Sequence, residues 1–312
     1  MKKIINDKRL MIKACDLYYN ENKTQQQIAD ILNISYPTVS HLLAGAKSSD
    51  ILNITICDLD MVKYWEMEQQ IKERFGLKDV IIVESCDMNR KLGVAASKYL
   101  DSIISTGDMV GISMGSTLYN VSHSIVKKNV DNVTFVPLVG GMGRLRTELH
   151  SNNLAEILSK KYNGSYIPLY APARVSSKAV RKQIESEQSV AEVLSMEKNI
   201  DIALEGIGYP NEKSSIMATG YYKENEIQSL LKRGVAGEIC MQFYDVLGST
   251  SAYKSDNTVI GLNISNLRKI PFSIGVAGGI DKVPAIMGAI AGRYINVLIT
   301  DYFSAEKIIE TG

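Results

Sequence analysis

Small residues follow several apolar runs of this sequence, at the points where each run gives way to a helical pattern. Residues 115–117, Gly-Ser-Thr, come just after MVGIS, and Gly278 and Gly279 follow SIGVA, with Lys282 shortly after them. The N–H groups at the beginning of a helix attract anions, and glycines let the backbone approach a ligand closely. Together with the nearby lysine, these segments favour a site for a small phosphorylated or polyhydroxylated ligand.

Other loops add candidates for the same site. Further glycines and charged residues follow apolar runs at Gly140, Gly141, Arg144, Gly206 and Asp301. Four more polar side chains could contact ligand hydroxyls, namely those of His150, Asn153, Glu205 and Asp245. Each observation has a structural alternative, because a tight turn explains a glycine pair, a polar residue can open a helix, and a carboxylate can serve a nearby backbone group.

Seven apolar runs predict the strands that carry these loops. They are DVIIVE, DMVGIS, VTFVPLV, SYIPLYA, IDIALEGIG, FSIGVAGG and INVLITD. Amphipathic segments at 89–105, 117–128, 149–162, 177–197 and 283–292 lie between most of them. Strands that are apolar on both faces and separated by helices form parallel sheets with helices on both sides. We therefore predict an α/β domain with a doubly wound, mainly parallel sheet and an inserted antiparallel element near 237–263, with ligands bound beyond the carboxyl ends of the strands.

The N-terminal segment TQQQIADILNISYPTVSHLL, residues 24–43, has the spacing of a helix-turn-helix. Thr24 and Gln27 form the pattern of a capping box, and Asn33 stands at the turn, where left-handed backbone is needed. Ser35 can cap the second helix, and Pro37 suits its first turn. Residues 1–56 are thus predicted to be a DNA-binding domain, and 57–312 a second domain that begins with a connector over 57–77.

The second helix of this motif presents hydrogen-bonding side chains on the side away from Val39 and Leu42. Such side chains suit base edges and phosphates. The predicted contacts with operator DNA are Thr24, Gln25, Ser35, Tyr36, Thr38, Ser40, His41 and Lys47. The alternative is an ordinary helical hairpin with a solvated polar face.

Composition is that of a soluble globular protein, with 45% hydrophobic and 22% charged residues and a net charge of +1. The four cysteines form no C-x-x-C pair and the three histidines lack metal-ligand spacing, so we predict neither a metal site nor a cofactor. A charged N-terminus and the lack of a membrane-length apolar run predict a cytoplasmic protein without membrane contact.

The motifs, in this order and spacing, resemble the SorC family of bacterial transcriptional regulators. The resemblance covers essentially the whole chain and rests on LYYNENKTQQQIADILNISYPTVSHLL, GDMVGISMGSTLY, PLVGGMG, HSNNLAEIL, VAGGIDKVPAIMGAIAG and INVLITDYFSAEKII. It implies a DNA-binding domain joined to an effector domain similar to ribose-5-phosphate isomerase and glucosamine-6-phosphate deaminase. It also implies a homodimer or homotetramer that binds a phosphorylated sugar.

The resemblance further implies a role for each candidate. Gly115, Ser116, Thr117 and Lys282 would hold the effector phosphate. The sugar would lie against Gly140, Gly141, Arg144, His150, Asn153, Glu205, Gly206, Asp245, Gly278, Gly279 and Asp301. Val139 precedes the glycine pair, so this loop offers no amine for a Schiff base with an open-chain sugar.

Different functional classes remain open at this point. One is a regulator, more specifically a repressor of a carbohydrate-utilisation operon, whose operator affinity is controlled by a phosphorylated sugar. The alternative is a sugar-phosphate isomerase or deaminase, and a third is a regulator that responds to a non-phosphorylated sugar or a signalling furanose. The regulator, which is not an enzyme, is preferred because it uses both domains, whereas an isomerase gains nothing from a helix-turn-helix.

Overall fold

The computed structural model describes residues 7–49, 51–52, 59–143, 146–211, 214 and 221–312. The chain forms two compact units, Met1–Val62 and Lys63–Gly312. The domain boundary predicted between residues 56 and 57 lies outside the described residues, as does Arg144.

Within residues 7–49, the first unit has the helices α1 (Lys8–Cys15), α2 (Gln25–Leu32) and α3 (Tyr36–Ser48), with a π-helical turn over Asp16–Asn20 after α1. Apolar residues from all three helices form one buried cluster, which includes Met11, Ile28, Val39 and Leu42. The apolar spacing of the helix-turn-helix segment therefore reflects the contact of its two helices with a common core.

The second unit is built on a sheet of seven parallel strands. These strands are β1 (Asp79–Val83), β2 (Met109–Ile112), β3 (Thr134–Pro137), β4 (Ser165–Tyr166), β5 (Ile202–Gly206), β8 (Phe272–Val276) and β9 (Val297–Asp301), in the spatial order β1-β9-β8-β5-β2-β3-β4. All seven predicted strands are present, and the predicted parallel α/β class is confirmed. Two further strands, β6 (Val235–Ile239) and β7 (Gln242–Asp245), form the expected antiparallel insertion as a hairpin.

Helices cover both faces of this sheet. The described helices are α4 (Leu59–Phe75), α5 (Met88–Ile103), α6 (Ser116–Ser124), α7 (Ser151–Tyr162), α8 (Lys178–Ser186), α9 (Gln188–Ser195), α10 (Glu224–Lys232), α11 (Val283–Ala291) and α12 (Tyr302–Thr311). The first of them, α4, begins before Lys63. Residues of α5, α6 and α7 form the core on one face, while α4, α10, α11, α12 and the hairpin form the core on the other. This double coverage explains why the strands read as continuous apolar runs.

The helices of the second unit differ from the sequence expectation in two respects. The amphipathic segment at 177–197 is broken at Glu187, whose backbone is extended, so that α8 and α9 are separate helices. The helices α10 and α12 were not among the predicted segments, because each buries only two apolar residues.

Candidate functional site

A cleft of about 310 Å³ opens at the carboxyl ends of β2, β5 and β8. Its lining residues are Met114, Gly115, Ser116, Thr117, Gly206, Ile207, Gly208, Tyr209, Asn211, Ser214, Glu238, Asp281 and Lys282. After β2 the chain moves outward to β3 and β4, and it then returns to place β5 on the other side of β2. Such a reversal of strand order separates neighbouring loops and creates a crevice, which is where ligands bind in open α/β sheets.

The beginning of α6 forms one wall of the cleft. Gly115 caps this helix with φ 118° and ψ 170°, a conformation that is essentially restricted to glycine. The Gly115 amide donates to the carbonyl of Leu149 at 3.0 Å, so it is not available to a ligand as the sequence analysis assumed. The amides of Ser116 and Thr117 have no hydrogen-bond acceptor among the described residues, and these two N–H groups, with the helix dipole, can bind an anion.

Lys282 lies in the same cleft, at the end of a short 3₁₀ turn (Ile280–Lys282) that precedes α11. Its side chain is half-buried. Burial lowers the pKa of Lys282, while the nearby carboxylates of Glu238 and Asp281 oppose that effect. The structure thus brings together the predicted phosphate residues 115–117 and Lys282, which are more than 160 positions apart in the sequence.

Glu238 is a cleft residue that the sequence analysis missed. It is 8% exposed, and its Oε2 accepts a hydrogen bond of 2.8 Å from the amide of Met241 at the hairpin turn. Burial raises the pKa of Glu238 to about 7, although the Met241 amide and the charge of Lys282 act in the opposite direction. The only signal in the sequence was an acid within an otherwise apolar strand, GEIC, which did not indicate what it faces.

The close approach of Glu238 to the cleft depends on Gly208. The two residues form an antiparallel bridge, with hydrogen bonds of 3.0 and 2.9 Å between their backbones. A Cβ atom on Gly208 would overlap the carboxylate of Glu238. Gly208 therefore has a structural role, since it leaves room for a carboxylate at the floor of the cleft.

Gly278, Gly279 and Asp301 lie beside the cleft rather than in its lining. Asp301 is buried, and its Oδ1 accepts from the Gly279 amide at 2.8 Å, while its Oδ2 accepts from the Ser85 hydroxyl at 2.6 Å. Burial raises the pKa of Asp301, but hydrogen bonds from Ser304, Ser85 and Gly279 outweigh that effect and lower it overall. Asp301 thus holds the loop that leads to Lys282.

The position of Glu205 does not fit the predicted contact with sugar hydroxyls. Its side chain is completely buried on the sheet face that the hairpin covers, and it accepts a hydrogen bond of 3.1 Å from Ser273. Burial raises the pKa of Glu205 well above its usual range. The side chain at this position points into the core because residues alternate between the two faces of a strand. The next residue, Gly206, lines the cleft, whereas Glu205 does not.

Asp245 and the Gly140–Gly141 pair are also used structurally. Oδ1 of Asp245 accepts from the amides of Leu247 and Ser249 at 3.0 and 2.8 Å, which closes the loop after β7. The Gly140 and Gly141 amides donate to the carbonyls of Ile260 and Ala171 at 3.0 and 2.8 Å. None of these three residues lines the cleft.

His150 and Asn153 line a separate depression at the beginning of α7, together with Glu148 and Tyr166. His150 is buried and stands at the N-cap of α7. His150 and Asn153 thus lie on a neighbouring surface, outside the lining of the cleft. Their contact with the sugar remains a prediction.

The helix-turn-helix of the first unit has the local geometry that its sequence predicts. The Thr24 hydroxyl accepts from the Gln27 amide, and the Gln27 side chain accepts from the Thr24 amide, which completes the capping box. Asn33 has left-handed backbone, with φ 54° and ψ 48°. Ser35 caps α3 by accepting from the amide of Thr38, and the two hydroxyls lie 2.8 Å apart.

These bonds divide the predicted DNA contacts into two groups. The hydroxyls of Thr24, Ser35 and Thr38 are engaged in helix capping, and Gln25 is half-buried. Four side chains on α3 are exposed and make no hydrogen bond to another described residue: Tyr36, Ser40, His41 and Lys47. Tyr36 is 51% exposed.

Comparison with known proteins agrees with this geometry. Residues 60–310 match the family described as "Putative sugar-binding domain". The chain is 32% identical to the deoxyribonucleoside regulator of Bacillus subtilis (strain 168), covering 96% of this chain and 97% of that protein. It is also 30% identical to the sorbitol operon regulator of Klebsiella pneumoniae, covering 98% and 99%. The chain belongs to the SorC family of transcriptional regulators.

Solved structures of transcriptional regulators are similar to this fold. The crystal structure of the full-length sorbitol operon regulator SorC from Klebsiella pneumoniae matches with a TM-score of 0.75 and 30% identity, covering 97% of this chain and 99% of that one. A DeoR family transcriptional regulator from Listeria monocytogenes matches with a TM-score of 0.73 and 27% identity, covering 79% of this chain and 99% of that one. The sequence-based assignment to the SorC family is confirmed.

Within the described part of this SorC-family chain, no helix is long and apolar enough to cross a membrane. The same residues contain no cluster of three or more His, Cys, Asp or Glu side chains arranged to hold a metal ion.

Proposed function

We propose that this protein is a DNA-binding transcriptional regulator whose operator affinity is controlled by a phosphorylated sugar. The observation that carries the proposal is that one cleft holds the half-buried Lys282 and the amides of Ser116 and Thr117, which have no acceptor among the described residues. A helix N-terminus and a lysine together favour a dianionic phosphate. The same chain carries a helix-turn-helix with an exposed polar face, and its relatives are named as regulators of deoxyribonucleosides and of a sorbitol operon.

In this proposal the phosphate lies at the beginning of α6, and the sugar extends along Gly206 and Gly208 toward Glu238. Carboxylates accept hydrogen bonds from sugar hydroxyls, so Glu238 takes the role that the sequence analysis assigned to Glu205 and Asp245. Ser116 and Thr117 can add hydroxyl donors to the phosphate. The effector is bound between loops of three different strands, and its binding therefore favours one arrangement of those loops.

The proposed regulator acts as a homodimer or homotetramer and as a repressor of a carbohydrate-utilisation operon. A symmetric dimer presents two recognition helices to two half-sites of an operator. A preference of the effector for the arrangement that does not fit DNA changes operator affinity. A preference of only about 1–3 kcal/mol corresponds to a change of about 5- to 150-fold. Such a coupling is within reach of a few charge-assisted hydrogen bonds in the cleft.

One observation favours a second candidate function, a sugar-phosphate isomerase or deaminase. The pKa of Glu238 is raised to about 7, and a carboxyl group with such a pKa can transfer a proton at neutral pH. An assay for turnover of ribose 5-phosphate and glucosamine 6-phosphate, against a blank without protein, tests this alternative directly. Turnover that is lost in Glu238→Gln would favour the enzyme over the regulator.

The experiment that tests the regulator is fluorescence anisotropy on labelled DNA from upstream of the protein's own operon. Protein is titrated to saturation, and the complex is then challenged with a panel of sugar phosphates and with the corresponding free sugars. Release by a phosphorylated sugar, but not by its free sugar, is the expected result. Tight DNA binding that no member of the panel changes would contradict control by a phosphorylated sugar, and release by free sugars alone would favour the non-phosphorylated effector.

A further inference from the structure

We infer that α3 recognises thymines of its operator through their C5 methyl groups, and that Pro37 and Ala44 are the residues that contact them. Neither residue is among the DNA contacts predicted from the sequence. The inference rests on the proposed function, because it specifies which bases the helix-turn-helix selects and by which kind of contact.

The exposed side chains of α3 lie on one side of the helix. They belong to Tyr36, Pro37, Ser40, His41, Ala44, Lys47 and Ser48. At about 100° per residue they cover an arc of about 140°, with Tyr36 at one border and His41 at the other. The opposite side carries the buried residues Val39, Leu42, Leu43 and Ala46. One continuous face of α3 is thus available to DNA.

The middle of this exposed face is apolar. Pro37 and Ala44 are two helical turns apart, so their directions around the helix axis differ by only about 20°. Ser40 and Lys47 lie on one side of this pair, and His41 lies on the other. Pro37 belongs to the first turn of α3, and the N-terminal part of a recognition helix is the part that contacts base edges. The apolar pair therefore occupies the position that lies deepest in the major groove.

The residue types of α3 favour thymine over the other bases. Guanine is most often recognised by arginine or lysine, and adenine by asparagine or glutamine. Of these types, the α3 sequence YPTVSHLLAGAKS contains only Lys47, in its last turn. Thymine instead presents a methyl group, which apolar side chains contact. A polar base edge against Pro37 or Ala44 would lose its water without gaining a hydrogen bond, which is costly.

The cap and the core of the unit fix the position of this surface. The Ser35 hydroxyl accepts from the Thr38 amide, and the two hydroxyls lie 2.8 Å apart. The ring of Pro37 restricts the backbone of the same turn. Beneath it, Val39 and Leu42 are fully buried. The apolar pair is thus presented by an ordered helix end, and little conformational entropy is lost when it contacts DNA.

The test uses the DNA fragment from upstream of the protein's own operon, prepared once with thymine and once with uracil in place of every thymine. The two fragments differ only in the C5 methyl groups. The full chain is titrated onto each fragment and binding is followed by fluorescence anisotropy. Each lost methyl contact is expected to weaken binding about fourfold, which is about 0.8 kcal/mol at about 1.4 kcal/mol per tenfold change. Since a dimer engages two half-sites, we expect the uracil fragment to bind at least about tenfold more weakly.

Two variants connect this difference to α3. The double variant Pro37→Ser, Ala44→Ser changes two exposed positions and removes the apolar contacts. It is expected to bind the thymine and uracil fragments with affinities within about threefold of each other. The matched control is Lys47→Ala on the same helix. Loss of a phosphate contact weakens binding of both fragments equally, so the ratio of the two affinities should stay as in the natural protein.

The outcomes separate the inference from the proposed function. Equal binding of the thymine and uracil fragments by the natural protein, both in preference to an unrelated fragment, would overturn the inference and leave the proposed function intact. A preference for thymine that survives in the double variant would overturn the assignment to Pro37 and Ala44. Binding to the upstream fragment that is no tighter than binding to unrelated DNA would instead contradict the proposed function itself.

Discussion

Oδ1 of Asp301, the last residue of β9, accepts a hydrogen bond of 2.8 Å from the amide of Gly279, in the loop after β8. Gly279 has φ 103°, a left-handed conformation that the hydrogen bond helps to hold. Three residues later the same loop carries Lys282 into the cleft. Asp301 is therefore a buried residue that holds the loop carrying the lysine of the cleft.

Asp301→Asn is expected to destabilise the protein by about 1–3 kcal/mol at pH 7, because charge-assisted hydrogen bonds are replaced by neutral ones. Since the pKa of Asp301 is lowered in the folded state, its contribution to stability is present above the pKa of the unfolded chain and is lost as the pH falls through the folded value. The difference between the variant and the natural protein should thus shrink toward pH 3. Urea unfolding at pH 7 and pH 3 measures this difference in the free energy of unfolding. The control is Glu310→Gln, at an exposed position on α12. A difference that does not change with pH would contradict this account.

Gly115→Ala is expected to destabilise the protein and to weaken binding of sugar phosphates. The space around a Cβ atom at this position is open, so the cost is conformational, about 1–3 kcal/mol for a non-glycine residue in this region of φ and ψ. The strain would shift the Ser116 and Thr117 amides. Thermal unfolding and calorimetry measure the two effects. Gly141→Ala, where φ is not left-handed and the nearest atom to a Cβ lies at 3.9 Å, should leave stability unchanged, and equal losses in both variants would argue against the special role of Gly115.

Glu205→Gln is expected to leave effector binding unchanged. The free energy of unfolding of this variant, relative to that of the natural protein, is expected to increase as the pH rises. The pKa of Glu205 is raised in the folded state, so the natural protein loses stability as the pH increases from the unfolded pKa toward the folded one, about 1.4 kcal/mol for each unit of pKa shift. Glutamine has no proton to lose and avoids this cost. Unfolding free energies at pH 5 and pH 8 test the sign, and a tenfold loss of effector affinity in the variant would instead return Glu205 to the sugar site.

Replacing Tyr36 and His41 together by alanine is expected to reduce operator affinity about 10- to 100-fold or more, since each specific contact with a base contributes about 1–3 kcal/mol. Both side chains are exposed on α3 and cap nothing, so the fold should be preserved, whereas a change at Thr38 would also disturb the cap with Ser35. Anisotropy on operator DNA is the measurement, and Tyr19→Ala, an exposed tyrosine outside α3, is the control. Unchanged affinity in the double variant would show that another face of the unit meets DNA.

Local rules were sufficient for the helix-turn-helix. The capping box at Thr24, the left-handed Asn33 and the Ser35 cap each depend on atoms no more than five residues away, so the sequence near them decides their geometry. The same holds for the predicted strands, whose apolar runs reflect burial on both faces of the sheet. The sequence also placed 115–117 and Lys282 at the ends of strands, where α/β sheets bind ligands.

The sequence by itself determined the class of the fold, the motif at the N-terminus and the set of loops at one edge of the sheet. Only the tertiary structure decided which loops meet, because strand order puts β5 beside β2 and leaves the 140–141 loop bonded to residues 171 and 260. It also decided which carboxylate lines the cleft. Glu205 and Gly206 are adjacent in sequence but lie on opposite sides of a strand, and Glu238 reaches the cleft through a bridge to Gly208, thirty residues away. Contacts between distant segments depend on register and packing, which no local pattern encodes.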